Sequence, residues 1–316
     1  MPPTSSRSDW LIFSLLGLIW GSSFLFIKIG GESLGPFTLV SLRLIFGALL
    51  LGAVVIASRE SLPRDPRVIG HLAVLGVLSV FLPFSLITWG ETHIDSGLAS
   101  ILNSTTPLFT IVVAGLFLAD EPITLNRVIG LLVGFGGVVL VTSQSLAGRS
   151  DSLALLGELA VAAAAVSYSI GAVYARLHAR GLRPMTVGLS QTLFGLVYAV
   201  IPALLLEHPL GAGIEPQALF AVAWLGLLGT GVAYLIFFRL LAKWGATRTQ
   251  LVTYLLPPVG VALGVIVLGE QIDAQIVAGT ALIIGGVAIV SRRRGGRTLY
   301  QRPPAALEPE PSTPVG

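Results

Sequence analysis

The sequence predicts an all-α membrane protein in which ten transmembrane helices form two inverted five-helix repeats, and three observations lead there. The first is composition. Of 316 residues, 54% are apolar and 11% charged, with a mean hydropathy of +0.87, against roughly 25% charged residues in an ordinary soluble domain. The second is an internal duplication: residues 96–141 (SGLASILNSTTPLFTIVVAGLFLADEPITLNRVIGLLVGFGGVVLV) recur as residues 246–290 (ATRTQLVTYLLPPVGVALGVIVLGEQIDAQIVAGTALIIGGVAIV). Through the proline the offset is 150, pairing Pro107 with Pro257. One residue then drops out, and at 149 Glu121, Gly130, Gly137 and Val141 meet Glu270, Gly279, Gly286 and Val290. The third is the placement of basic residues. Sixteen of the nineteen Lys and Arg fall in alternate gaps between apolar runs, Lys28 and Arg149 fall in the other gaps, and Arg43 lies within a run.

Runs long enough to cross roughly 30 Å of hydrocarbon as helices of about 20 residues occur near 10–29, 36–58, 68–89, 96–118 and 124–143, and again near 154–175, 186–206, 216–239, 246–268 and 273–291. The copies correspond throughout: at offset 148, WGSSFLFIK (Trp20 to Lys28) lies over YSIGAVYAR (Tyr168 to Arg176), and SLRLIFG over LSQTLFG. The basic bias places both termini in the cytoplasm of a cell with an inner membrane. Because five is odd, the second copy must then lie upside down, an architecture typical of transporters. The expected segments are a cytoplasmic N-terminus 1–9, a first repeat 10–143, a linker 144–153, a second repeat 154–291 and a disordered cytoplasmic tail 292–316. The first run follows Arg7 as a signal peptide would, but its length, its lack of a small-x-small cleavage site and its place at the head of a repeat argue against cleavage.

Chemistry-bearing residues are sparse. The chain has no cysteine and four scattered histidines, so disulfide, thiolate and metal chemistry have no sequence support, and no cofactor is expected. Walker A, GxGxxG, HExxH and GxSxG motifs are absent. The net charge of +3 does not point to nucleic acid, because the basic residues sit in membrane-flanking loops. All carboxylates fall in loops, tails or helix ends, and Glu158, near the start of the sixth helix, is the best remaining candidate for a proton relay. Glu121 and Glu270 sit in tight turns just before the expected N-caps Thr124 and Asp273, where holding the turn is their expected work.

At helical spacing, Ser96, Ser100, Asn103, Pro107, Thr110 and Ala114 form one small or polar stripe on the fourth helix, and Ala246, Gln250, Thr253, Pro257, Gly260 and Gly264 repeat it on the ninth. Polar groups avoid lipid, and a proline frees a carbonyl that needs a partner, so both stripes should face the protein interior. Two readings stand for the Ser and Thr residues, substrate contact or close helix packing; the GxxxG pairs Gly17/Gly21, Gly130/Gly134 and Gly260/Gly264 fit packing. Asn103, Gln250 and Tyr254 are larger polar groups and favour a binding role. Arg43 either attracts an anionic substrate group, or snorkels outward or hydrogen-bonds carbonyls of a neighbouring helix; its repeat mate is the neutral donor Gln191. Trp20 and Tyr168 are repeat mates near mid-helix, placed to line a cavity or to pack. The candidate site is therefore Ser100, Asn103, Thr110, Gln250, Thr253, Tyr254, Trp20, Tyr168 and Arg43, between the third, fourth, eighth and ninth helices, with Pro83, Pro107, Pro202 and Pro257 as bending points.

Taken together, an early WGSSF, SLRLIFG in the second helix, TTPLFT followed by LADEPIT, and a closing GFGGVVL resemble the EamA repeat of the drug/metabolite transporter superfamily. The resemblance spans residues 10–291. It implies ten helices, cytoplasmic termini and export of small metabolites, amino-acid-like or drug-like, through a central cavity. Tyr168 stands where a Trp is common, and Gln191 where the first copy has Arg. The expected partners are a small-molecule substrate and the lipid bilayer, in a monomer or weak homo-oligomer; the alternative is a non-transporting sensor or a lipid-active membrane enzyme.

Overall fold

A computed structural model describes residues 7–143, 152–207, 213–244, 249–291 and 298–301. Ten apolar helices follow in order: α1 (Arg7–Gly31), α2 (Pro36–Ala57), α3 (Pro66–Glu91), α4 (Ser96–Phe117), α5 (Leu125–Val141), α6 (Ser152–His178), α7 (Pro184–Glu207), α8 (Pro216–Trp244), α9 (Gln250–Leu268) and α10 (Ala274–Ser291). Eight are long enough to cross a membrane unaided, and α5 and α10 are shorter. Most of the linker expected at 144–153, together with Ala246 of the second stripe, lies outside the described residues.

Reciprocal contacts reveal the twofold relation between the copies. On α5 and α10, a Cβ on Gly137 would stand 2.7 Å from the Gly279 carbonyl oxygen, and one on Gly130 would stand 2.7 Å from that of Gly286. Gly130 and Gly279 are repeat mates, as are Gly137 and Gly286, so each contact is the image of the other. That self-matching arrangement is what a twofold axis generates, and it needs α5 and α10 antiparallel. The same holds elsewhere. Gly226 on α8 packs against the Arg43 carbonyl and the Gly47 amide of α2, while its mate Gly76 on α3 packs against the Gln191 carbonyl and the Gly195 amide of α7. Where Gly21 faces the Leu256 carbonyl, its mate Ser169 donates to the Thr106 carbonyl at 2.9 Å.

Five of the long helices are not uniform among the described residues, and four of the irregularities neighbour the prolines singled out above. A π-type stretch, Val77–Phe81, precedes Pro83; α4 breaks into Ser96–Asn103 and Thr106–Phe117 just before Pro107; a π-type stretch, Ala203–Glu207, follows Pro202; and Gln250–Leu255 is a 3₁₀ turn ahead of Pro257. Proline cannot donate to the carbonyl four residues back. At Pro107 that carbonyl belongs to Asn103, and the Thr106 hydroxyl takes it at 2.7 Å. A further π-type stretch on α8, Trp224–Val232, overlaps the positions that match Val77–Phe81.

Turn expectations are met in part. The Thr124 side chain accepts from the Arg127 amide and Asp273 Oδ1 accepts from the Ile276 amide, as N-caps do. Glu270, however, reaches across to the start of α4, accepting from the Ser96 and Gly97 amides at 2.7 and 2.9 Å. Glu207 does the same for α2 through Phe37 and Thr38. The tail expected to be disordered over 292–316 departs from that expectation at Thr298–Tyr300 (β2), which pairs antiparallel with Ile123–Thr124 (β1). A two-residue edge beside the α4–α5 turn offers unpaired backbone groups that this segment satisfies. Residues 292–297 and 302–316 lie outside the described residues.

The reciprocal glycine contacts predict that Gly137→Leu overpacks the α5–α10 seam and costs about 1–3 kcal/mol, seen as a lower thermal unfolding midpoint in detergent. Gly136 has open space around it, so Gly136→Ala should leave the midpoint unchanged or raise it.

Candidate functional site

Eight of the ten helices wall a cavity of about 430 Å³ near the middle of the fold; α5 and α10 contribute none of its wall among the described residues. The wall is twofold in composition. Trp20 and Tyr168, Ser23 and Gly171, Arg43 and Gln191, Ser79 and Gly229, Phe84 and Tyr234, and Asn103 and Thr253 all line it as repeat mates. The site therefore extends beyond α3, α4, α8 and α9 to include α1, α2, α6 and α7.

Most of the lining is apolar or aromatic, with a few polar groups converging. Arg43 is buried, and does not snorkel. Its Nε–H donates to Thr230 Oγ1 at 3.1 Å and its guanidinium lies 3.9 Å from the Phe84 ring centroid, a cation–π geometry that holds the charge while leaving other donors unspent. The repeat mates of this pair, Gln191 and Tyr234, also line the wall. Trp20 Nε1–H donates to the Gly229 carbonyl at 3.2 Å, and Tyr168 meets Phe84 edge-on. Thr110 donates to Ser169 Oγ at 3.0 Å. Asn103 lines the wall, and its Oδ1 is buried beside the cavity with no hydrogen-bond partner, an unmet acceptor.

Seven of the nine candidate residues therefore meet at one cavity: Asn103, Thr110, Gln250, Thr253, Trp20, Tyr168 and Arg43. Two do not. Ser100 is fully buried, donates to the Gly97 carbonyl at 2.6 Å and packs on Gly260, and Tyr254 packs among Ile101, Leu108 and Ile283. Of the prolines, only Pro107 lies on the wall. Tyr234, Phe237 and Phe238 also line the cavity and were not among the candidate site residues read from the sequence.

The cavity opens toward the face where α6 and α8 end, here called the terminal face because α1 begins there. Ala172 and Gln250 are exposed, whereas their mates Phe24 and Ser100 are 4% and 0% exposed. At the opposite face Ile27 and Ile87 seal the cavity at 3% and 5%. The seal is pinned by Lys28, whose ammonium donates to the Glu91 and Ile94 carbonyls at 2.7 and 2.8 Å. Its mate Arg176, on the terminal face, pairs instead with Glu121 at 3.1 Å and with Asp120, while Glu121 also pairs with Arg127 at 2.6 Å. Glu158 and Glu91, expected at solvated helix ends, are 4% and 1% exposed. The cause is the glycine contact between α3 and α6, where Gly90 and Gly157 bring the two backbones together.

Comparison with known proteins decides the family. The model of the EamA-like transporter family matches residues 9–143 and again 155–292. The chain belongs to the EamA-like transporter family. It is 27% identical over 287 residues to an uncharacterized transporter of Archaeoglobus fulgidus, covering 90% of this chain and 99% of that one. It is 26% identical to a probable amino-acid metabolite efflux pump of Escherichia coli, covering 90% and 95%. It is also 26% identical to a probable terminal-alkyne amino-acid exporter of Streptantibioticus cattleyicolor, covering 92% and 96%. A crystal structure matches with a TM-score of 0.66 at 24% identity, over 92% of this chain and all of the other, so the fold is shared. The match in two blocks agrees with the duplication, and the EamA-like unit is the five-helix repeat.

One charge at the sealed face is testable by pH. Burial, and then the nearby Glu270, push the Asp95 carboxyl above the usual aspartate range, with Lys28 partly opposing them. The folded chain thus holds this proton more tightly than the unfolded chain, and stability falls as pH rises through that window. Asp95→Asn should raise the unfolding midpoint at pH 7, with the gain vanishing below about pH 4, as melting curves across pH would record.

Proposed function

We propose that the protein is an inner-membrane secondary transporter that exports small, amino-acid-like or drug-like metabolites by alternating access, with both termini cytoplasmic. The observation that carries this reading is the twofold-walled cavity holding a single buried guanidinium. The walls are repeat mates, so the same residues can form the opening at either face when the two halves exchange shape. The charges are not mates. Arg43 faces Gln191 across the pseudo-axis, which gives the cavity one anion-recognising corner and an otherwise apolar, aromatic surround.

A carboxylate at Arg43, an ammonium or hydroxyl at Asn103 Oδ1 and an apolar side chain against Phe84, Ile87 and Phe237 would fill those corners. That is the outline of an amino acid, and two of the relatives are named for amino-acid export. The contrast in exposure between mates supports alternation: the cavity is open at the terminal face and closed at the other, which with cytoplasmic termini is an inward-open state. Cytoplasmic termini are supported by the confinement of sixteen basic residues to one side.

Counterflow of radiolabelled neutral amino acids in proteoliposomes tests the reading: saturable exchange supports a carrier, and its absence across the set counts against an amino-acid substrate. Arg43→Gln should lower exchange about 10- to 100-fold, the worth of one charge-assisted hydrogen bond. Asn103→Leu and Gln250→Leu should each reduce exchange while the amount of protein in the membrane stays at the wild-type level. Unchanged exchange in both would remove the polar stripe from transport.

A further inference from the structure

Glu91 ends α3 at the sealed end of the cavity, one helical turn past the wall residue Ile87 on the same helix face. It is 1% exposed, and neither carboxyl oxygen has a hydrogen-bond partner. An ionised carboxylate without donors is among the costliest groups to enclose, whereas a carboxylic acid carries its own proton and needs only an acceptor.

The surrounding cations relieve it only through space, and none donates a hydrogen bond to it. Lys28 on α1 comes close, yet donates to the backbone carbonyls of Glu91 and Ile94. Arg43 on α2 acts through space, with its Nε–H given to Thr230. Glu270, from the α9–α10 turn, adds a negative charge held by the Ser96 and Gly97 amides. The packed helix α6 brings the buried Glu158, and His93 and Asp95 follow in the α3–α4 turn. Nor does the architecture ask for an acid here, since the repeat mate of Glu91 is Leu241.

We propose that Glu91 is a proton-binding site linked to the opening of the opposite face. The inference rests on the alternating-access reading. In the sealed conformer Glu91 holds a proton. When the opposite face opens, water reaches the carboxyl, the O–H bond breaks and the proton passes to that water; closing the face requires taking one back. Acid on the opposite face therefore favours the sealed conformer, and alkali favours the open one. The device belongs to one half only, so it acts at one face.

The natural absence of cysteine allows two spin labels to be placed without background, at Gly31→Cys and Trp89→Cys, the ends of α1 and α3 on the opposite face. Pulsed electron resonance on the full chain in lipid nanodiscs, without substrate, reads the short (sealed) and long (open) distance populations against pH. The expected result is a sealed-to-open ratio that changes by up to about tenfold per pH unit within the titration window, retained in Glu91→Asp and flat in Glu91→Gln. Populations that ignore pH in the otherwise unaltered labelled chain, or a pH dependence that survives Glu91→Gln, overturn the proposal. Because the readout involves no transport, a negative result leaves the carrier reading standing, and failed counterflow leaves this readout intact.

Discussion

The fold depends on backbone meeting backbone where α5 crosses α10. Lipid gives apolar helices no reason to associate beyond close packing and hydrogen bonds, so helix pairs that lack side chains at the crossing gain the most. Gly130, Gly137, Gly279 and Gly286 make that crossing, and because each contact is the image of another, one glycine pattern written twice serves both sides of the seam. The seam joins the two copies outside the cavity. It frees the other eight helices to enclose a space, and the pseudo-axis imposed by the seam makes the cavity wall pair up residue by residue.

Within that frame, function enters where the copies differ. The backbone around Arg43 and Gln191 is equivalent, down to the glycine, Gly226 or Gly76, that packs on each carbonyl. The side chains are not: one copy places a guanidinium over Phe84, and the other has Gln191 and Tyr234 at the matching positions. The same pattern recurs at the two faces. Lys28 and Arg176 are mates, but one pins backbone carbonyls at the sealed face and the other an ion-pair cluster with Glu121 and Asp120 at the open face. Symmetric architecture with unequal occupants is what a carrier needs if its two open states are to share a mechanism yet treat the substrate differently.

Much of this was legible in the chain, and the failures have physical causes. Ten helices, the repeat offsets and the close-packing glycines follow from hydropathy and periodicity, which depend on local sequence. The polar stripe was read at the spacing of a straight α-helix, and the structure bends that ruler. On α4, which breaks at Ser104 and Thr105, Ser100 packs on Gly260 while Asn103 and Thr110 line the wall. On α9 the 3₁₀ turn has three residues per turn, so Gln250 and Thr253 align and Tyr254 is rotated away into the packing near Ile283. Glu91 and Glu158 looked solvated because each is near a helix end; their burial comes from contact between α3 and α6, which no local pattern encodes. Likewise the pairing of Thr298–Tyr300 with Ile123–Thr124 joins segments too short to announce themselves.

The central claim is that the two halves exchange shape across the pseudo-axis. Spin labels on repeat-related pairs test it most directly: Gly31→Cys with Trp89→Cys at the sealed face, and, in a second protein, Ala179→Cys with Arg239→Cys, their mates at the open face. During amino-acid exchange in proteoliposomes, the account predicts that the first distance lengthens as the second shortens, by comparable amounts and in the same fraction of molecules. Distances that stay fixed at both faces while exchange proceeds, or that lengthen together, would contradict it.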